Sequence, residues 1–189
     1  MFERFTKDAR AVVLGASEHA ESSGAEAVEE EHMLLALLDR EASRASFALA
    51  ALGVDKRRAS VREALADARR RGGLSRADAD ALSGLGIDLT EIVSRVEEAH
   101  GVGALGSGRK GAGRWPGRRP FARGAKDTLT RSLRIALARR HRHIGDEHLL
   151  MALLIHPGVP AEVLADHGVT YESVTRVLYG GGEGLAEAG

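Results

Sequence analysis

The octapeptide Glu31-His32-Met33-Leu34-Leu35-Ala36-Leu37-Leu38 returns as Glu147-His148-Leu149-Leu150-Met151-Ala152-Leu153-Leu154, identical at six of eight positions. The other two positions exchange Met for Leu. At the same offset of 116 residues, Phe5…Ala9-Arg10 returns as Phe121…Ala125-Lys126, and Val28 returns as Ile144. Leu49-Ala50…Gly53-Val54 returns as Leu164-Ala165…Gly168-Val169, offset by 115 after a one-residue deletion. Three blocks in one order identify a duplication, so the chain must fold as two versions of one unit.

Each unit reads as helical. Ala9, Val12, Val13, Ala16 and Ala20 share one face at helical spacing. A second helix is expected from Glu30 to Arg40 and a third from Ser43 to Leu52, closed by Gly53 as its C′ residue. A fourth runs from Asp55, as N-cap, to Arg71 and stops at Gly72-Gly73. The second copy repeats the plan over Ala125–Arg140, Asp146–Ile155, Pro160–His167 and Tyr171–Tyr179. Composition agrees: apolar residues make up 43% of the chain but aromatics only 4%, which favours close-packed helices over strands.

The expected organisation is repeat one over 1–73, an insert over 74–119, repeat two over 120–180 and a disordered tail over 181–189. Within the insert, Leu74–Leu85 reads as irregular or weakly helical and Asp88–His100 as a capped helix. Gly101–Arg119 is rich in Gly and Arg and has too few apolar groups to offset the entropy of ordering, so it reads as a flexible linker. The fold class is therefore all-α, a pseudo-twofold duplicated four-helix repeat with an insert.

Charge balances at 27 basic and 27 acidic residues, so no global field selects nucleic acid or an anionic membrane. There is no cysteine, which removes disulfides, thiolate zinc sites and a Cys nucleophile. No signal peptide or membrane span is expected, and the expected compartment is the cytoplasm.

Met1-Phe2-Glu3-Arg4-Phe5-Thr6, the twice-used Glu-His-x-Leu-x-x-Leu-Leu and the Leu-x-x-x-Gly-Val closures resemble the N-terminal domain of the Clp chaperone ATPases, nearest the ClpC type. The resemblance covers both copies and leaves the insert outside. It implies an eight-helix pseudo-twofold bundle that docks substrates, adaptors and, in some members, arginine-phosphorylated proteins. No Gly-x-x-x-x-Gly-Lys-[Ser/Thr] occurs, so a stand-alone domain without the ATPase modules is the expectation.

Glu31 and Glu147 match the glutamates that engage the guanidinium in arginine-phosphate-binding members. A carboxylate at a helix start suits a cation, while backbone N–H groups there suit a phosphate. The competing reading is a carboxylate that stabilises the helix macrodipole by roughly 0.3–1 kcal/mol. The family's usual Gly-Thr before the Glu is replaced by Glu29-Glu30 in copy one and Gly145-Asp146 in copy two. The extra carboxylates repel phosphate most strongly in copy one, where the macrodipole role is preferred; the second site stays open.

His32 and His148 read as satisfied core residues. His141-x-His143 near His148 completes no metal motif, and neither metal nor cofactor is assigned. Phe2, Phe121 and Lys126 carry residue types that, by the resemblance, line the cleft for cyclomarin-like cyclic-peptide antibiotics in actinobacterial ClpC-type domains. Two aromatic faces and an ammonium suit a mostly apolar peptide with carbonyl groups. Helix-start anchoring is the alternative for Phe2 and Phe121.

Gly101-Val102-Gly103-Ala104-Leu105-Gly106 lacks the preceding strand and following helix of a dinucleotide site, and in the phosphate-loop mimic over Gly103–Lys110 the Lys is one place late and Gly111 replaces the needed hydroxyl. Arg109–Arg142 holds 12 Lys or Arg residues against one acid, Asp127, the best support for a nucleic-acid-associated regulator. Only Trp115 and Phe121 could stack on bases, so that reading is the runner-up. No nucleophile elbow or paired-carboxylate signature recommends an enzyme. The preferred function is a non-catalytic binding module of the Clp system, an adaptor or sequestering decoy. Its expected partners are peptides, degradation substrates, a Clp ATPase or a cyclic-peptide antibiotic.

Overall fold

The computed structural model describes residues 2–71, 74, 76–100 and 119–180. The helices are α1 (Lys7–Ser22), α2 (Glu30–Leu38), α3 (Arg44–Ala51), α4 (Arg58–Arg70), α5 (Arg76–Gly84), α6 (Leu89–His100), α7 (Arg123–Ala138), α8 (Asp146–Ile155), α9 (Val159–Asp166) and α10 (Tyr171–Tyr179). The chain is all-α, and α1–α4 correspond to α7–α10.

The repeated leucine run forms the two central helices. Met33, Leu34, Ala36, Leu37 and Leu38 of α2 are buried, as are Leu149 to Leu153 of α8. A helix apolar on every side needs neighbours on every side, and α2 and α8 obtain them from each other and from the outer helices of both copies. Each fully buried leucine contributes roughly 1.5–3 kcal/mol. The outer helix α1 buries Ala9, Val12, Val13, Ala16 and Ala20, the face its spacing predicts. Residues of both copies join in one core.

Both third helices end the same way. Val54 N–H bonds to Leu49 O at 2.9 Å and Gly53 N–H to Ala50 O at 2.9 Å; Val169 N–H reaches Leu164 O and Gly168 N–H reaches Ala165 O, each at 2.8 Å. Gly53 and Gly168 hold φ of +78° and +79°, the left-handed turn that only glycine adopts without a Cβ penalty.

The two copies are locked by a reciprocal exchange. Phe5 forms an isolated parallel bridge with Ile144, and Val28 forms one with Phe121. The segment entering the first helix of each copy thus lies beside the segment entering the second helix of the other. Thr6 N–H bonds to Ile144 O at 2.9 Å and Ile144 N–H to Arg4 O at 2.8 Å, while Val28 N–H reaches Pro120 O and Ala122 N–H reaches Val28 O, each at 2.8 Å.

One local expectation is corrected. Asp55 does not cap α4; it opens a 3-10 turn, Asp55–Arg57, that precedes it. The stretch read as irregular or weakly helical over Leu74–Leu85 contains α5, whose first residue is tied to α9: Arg76 N–H donates to Glu162 Oε1 at 2.8 Å, and Arg76 pairs with Asp166 at 3.2 Å. Tertiary contacts fix a helix that its own pattern marks weakly. The helix expected over Asp88–His100 is present as α6, with Asp88 Oδ1 accepting from the N–H of Thr90 and Glu91. The glycine motifs of 101–110, most of the linker and the tail lie outside the described residues. Among the described residues no single helix is long and apolar enough to cross a membrane.

Candidate binding site at the start of the central helices

The repeated histidines build the N-termini of α2 and α8. His32 Nδ1 accepts the Glu29 N–H at 2.9 Å, and His148 Nδ1 accepts the Gly145 N–H at 2.8 Å. Each ring thus satisfies a backbone donor at the N-cap, the task a Glu or Gln performs in a capping box. With Nδ1 accepting, the other nitrogen carries the proton: His32 Nε2–H faces Ser23 Oγ at 3.2 Å, and His148 Nε2–H faces His141 Nδ1 at 2.8 Å. Burial at 1% exposure, reinforced at His32 by Arg69 and at His148 by His141, lowers both imidazoles to about 4. They are neutral core residues.

His141, Glu147 and His148 place ligand atoms within 4.8 Å of one another. A metal would need a lone pair on His148 Nε2, yet the Gly145 N–H takes the only lone pair of that neutral ring. The hydrogen bonding therefore commits this cluster to structure.

The glutamates beside these histidines differ. In copy one, Glu29, Glu30 and Glu31 crowd the start of α2. Burial, with Glu31 next and Glu30 adding to it, raises Glu29 to about 7 although Arg69 opposes it. Burial likewise raises Glu31, whose Oε1 stands 3.9 Å from Arg69 Nη1. Glu30 turns to the other copy and accepts the Thr128 hydroxyl at 3.0 Å. This concentration of carboxylate disfavours a phosphate.

In copy two, Gly145 replaces Glu29 and the carboxylate of Glu147 folds back over it. A Cβ on Gly145 would lie 1.9 Å from Glu147 Oε2. Glu147 is 4% exposed, and its cationic neighbour is Arg44, with Nη1 3.5 Å from Oε1. The neighbouring carboxylate of Asp146 is diverted: it accepts the Ala45 N–H at 3.2 Å and tethers α8 to the start of α3. Burial raises its pKa, against the hydrogen bonds from Ser43 and Ala45.

A cavity of about 390 Å³ opens here. Thr6 and Asp8 of copy one reach it through the Phe5–Ile144 bridge, α3 supplies Arg44, and the turn before α8 supplies Arg140, Arg142 and His143. The wall therefore combines the buried Glu147 carboxylate with a rim of guanidiniums, while the other two acids of the lining are already engaged, Asp8 by Arg40 and Asp146 by the Ala45 N–H. That arrangement accepts a cation and an anion carried side by side.

The other expected site residues fall as follows. The Phe2 side chain lies outside the described residues. Phe121 is half-buried against the core at its bridge with Val28, and Lys126 is exposed on α7. The repeat partner of Phe121 is the buried Phe5, not Phe2. Glu31 and Glu147 sit at separate helix starts. Several arginines of the basic stretch are engaged within the molecule: Arg119 donates to Ala25 O, Arg123 pairs with Asp127, and Arg139 stacks on Tyr179 at 3.8 Å. Arg44 and Tyr179 were not legible as site residues, because neither belongs to the repeated pattern.

The sequence profile described as the Clp repeat (R) N-terminal domain matches residues 4–79 and 120–184. Among solved structures, the chain is similar to the N-terminal domain of the caseinolytic protease-associated chaperone ClpD from Arabidopsis thaliana. The two are 22% identical with a TM-score of 0.55, and the match covers 94% of each chain. It is also similar to the Hsp104 N-terminal domain from Candida albicans, at 17% identity and a TM-score of 0.52, over 94% of this chain and 91% of that one. At these identities the two structures share the fold.

Proposed function

The chain belongs to the Clp repeat N-terminal domain family, whose domains bind substrates and adaptors, and from that premise we propose that it captures peptide segments of degradation substrates in the cavity at the start of α8. The observation that carries this reading is Glu147, a carboxylate with 4% exposure at a cavity wall, matched only by the loosely placed Arg44 among the described cations. A buried carboxylate gains from a hydrogen-bonding cation. A ligand guanidinium meets that need, and a phosphate attached to it would meet Arg140, Arg142 and the N-terminus of the ten-residue α8. Phosphoarginine is the compact group with both parts.

Titration calorimetry with free phosphoarginine tests this. Binding should be lost in Glu147→Gln and kept in Glu31→Gln; no heat from the wild-type protein at millimolar ligand removes the reading.

The cyclic-peptide groove stands as a second proposal on Phe121, Lys126 and Phe2, supported by a half-buried aromatic beside an exposed ammonium-bearing helix. Unchanged cyclic-peptide binding in Phe121→Ala would misplace it. As an adaptor the protein would co-purify with a Clp ATPase; as a decoy it would bind ligand alone. Retention of DNA in a gel shift at moderate salt would instead promote the nucleic-acid reading.

A further inference from the structure

Arg44 already brings a guanidinium to Glu147. It is the first residue of α3, and its side chain crosses to the start of α8 with Nη1 3.5 Å from Glu147 Oε1. Its guanidinium carbon also stands 5.4 Å from the ring centre of Tyr179, the last residue of α10, and Arg139 stacks on that same ring at 3.8 Å. Arg44 is thus steered toward the carboxylate by an aromatic neighbour while its side chain remains 52% exposed.

The contact is loose. Paired guanidinium–carboxylate hydrogen bonds run at about 2.7–2.9 Å and are often bidentate, which a contact at 3.5 Å does not reach. A buried carboxylate served this way is neutralised in part and remains open to a better-placed donor. Copy one has a parallel: Arg69, from α4, stands 3.9 Å from Glu31. The two arginines come from different helices, so the duplication does not account for the coincidence. Arg69 also donates to Ser23 O at 3.2 Å, which ties it to structure.

We propose that Arg44 is an internal occupant of the Glu147 site, a resident guanidinium that an incoming one must displace. Resting on the peptide-capture reading above, this assigns Arg44 the control of affinity at that site. A weak cation such as a lone lysine fails to displace it, whereas a guanidinium whose attached anion also engages the rim succeeds. Arg44 then leaves through solvent, which its exposure allows.

The test compares wild-type protein with Arg44→Ala and Arg44→Gln, using methylguanidinium and phosphoarginine as separate probes in calorimetry. Both variants should bind both probes at least about fivefold more tightly, and adding Glu147→Gln should erase the gain. Equal or weaker binding in the variants overturns the proposal while leaving the capture reading intact, since Arg44 would then be part of the anion rim. No binding of either probe to any of the three proteins overturns both. A double-mutant cycle on denaturant stability supplies an independent check: Arg44→Ala should cost more stability in the wild-type background than beside Glu147→Gln, where only its Tyr179 contact is lost. Absence of coupling overturns the occupancy whatever the probes do.

Discussion

Phe5 of the first copy pairs through its backbone with Ile144 of the second, and the repeat-related pair, Val28 with Phe121, closes the exchange from the other side. Neither copy therefore completes the entrance to its own central helix.

The two pairs differ in burial, which predicts unequal costs. Phe5 is 1% exposed whereas Phe121 is half-buried. Phe5→Ala should destabilise by about 3–5 kcal/mol, and Phe121→Ala by about half as much, read from denaturant unfolding midpoints. Equal losses would mean that Phe121 is held more tightly than its partial exposure implies.

The buried histidines predict acid sensitivity. Their folded-state pKa lies near 4 against an ordinary value of 6.5, so the unfolded chain takes up protons that the fold refuses. Stability is then full above about pH 6.5 and falls as pH drops toward 4, by up to about 3 kcal/mol per histidine. His148→Ala should flatten the acid limb of a stability-versus-pH curve. It should also lower stability at pH 7 by about 1–3 kcal/mol, because the Gly145 N–H loses its acceptor.

Glu29 acts in the opposite direction. Its pKa is raised to about 7 from 4.5, so the folded state holds a proton that the unfolded chain has released. That contribution is present below about pH 4.5 and is lost as pH rises through 7. Glu29→Gln, which keeps the backbone N–H that His32 accepts, should stabilise the protein by on the order of 1 kcal/mol at pH 8 and by little at pH 5. Thermal melts at the two pH values check this.

Arg140 predicts a conflict between stability and binding. It holds φ of +57° at the position where copy one has Gly24 at +70°, and it also lies on the cavity rim. Arg140→Gly should raise stability by about 0.5–1 kcal/mol through relief of the left-handed backbone. The same change should weaken phosphoarginine binding by removing a rim cation. A variant that loses stability would show that the Arg140 side chain contributes more than its backbone costs.

The glycine closures, the buried face of α1 and the extents of the repeated leucine helices were legible in the sequence because each depends on neighbours within a turn or two. Residue spacing and the left-handed tolerance of Gly53 and Gly168 determine them wherever the segment is placed. The weak pattern over Leu74–Leu85 left a helix as one of two readings, because α5 is anchored by Glu162 and Asp166, more than 80 positions away.

The sequence by itself determined that one helical unit occurs twice, that each copy carries a Glu-His-leucine helix, and that the two copies differ ahead of that motif. Only the tertiary structure decided what the difference means. Asp146 reaches Ala45 across 101 positions, Glu30 reaches Thr128 across 98, and Arg44 approaches Glu147 from another helix. The reason is physical: a site shared between copies depends on side-chain reach and on the crossing of entry segments, and neither leaves a periodic trace along the chain.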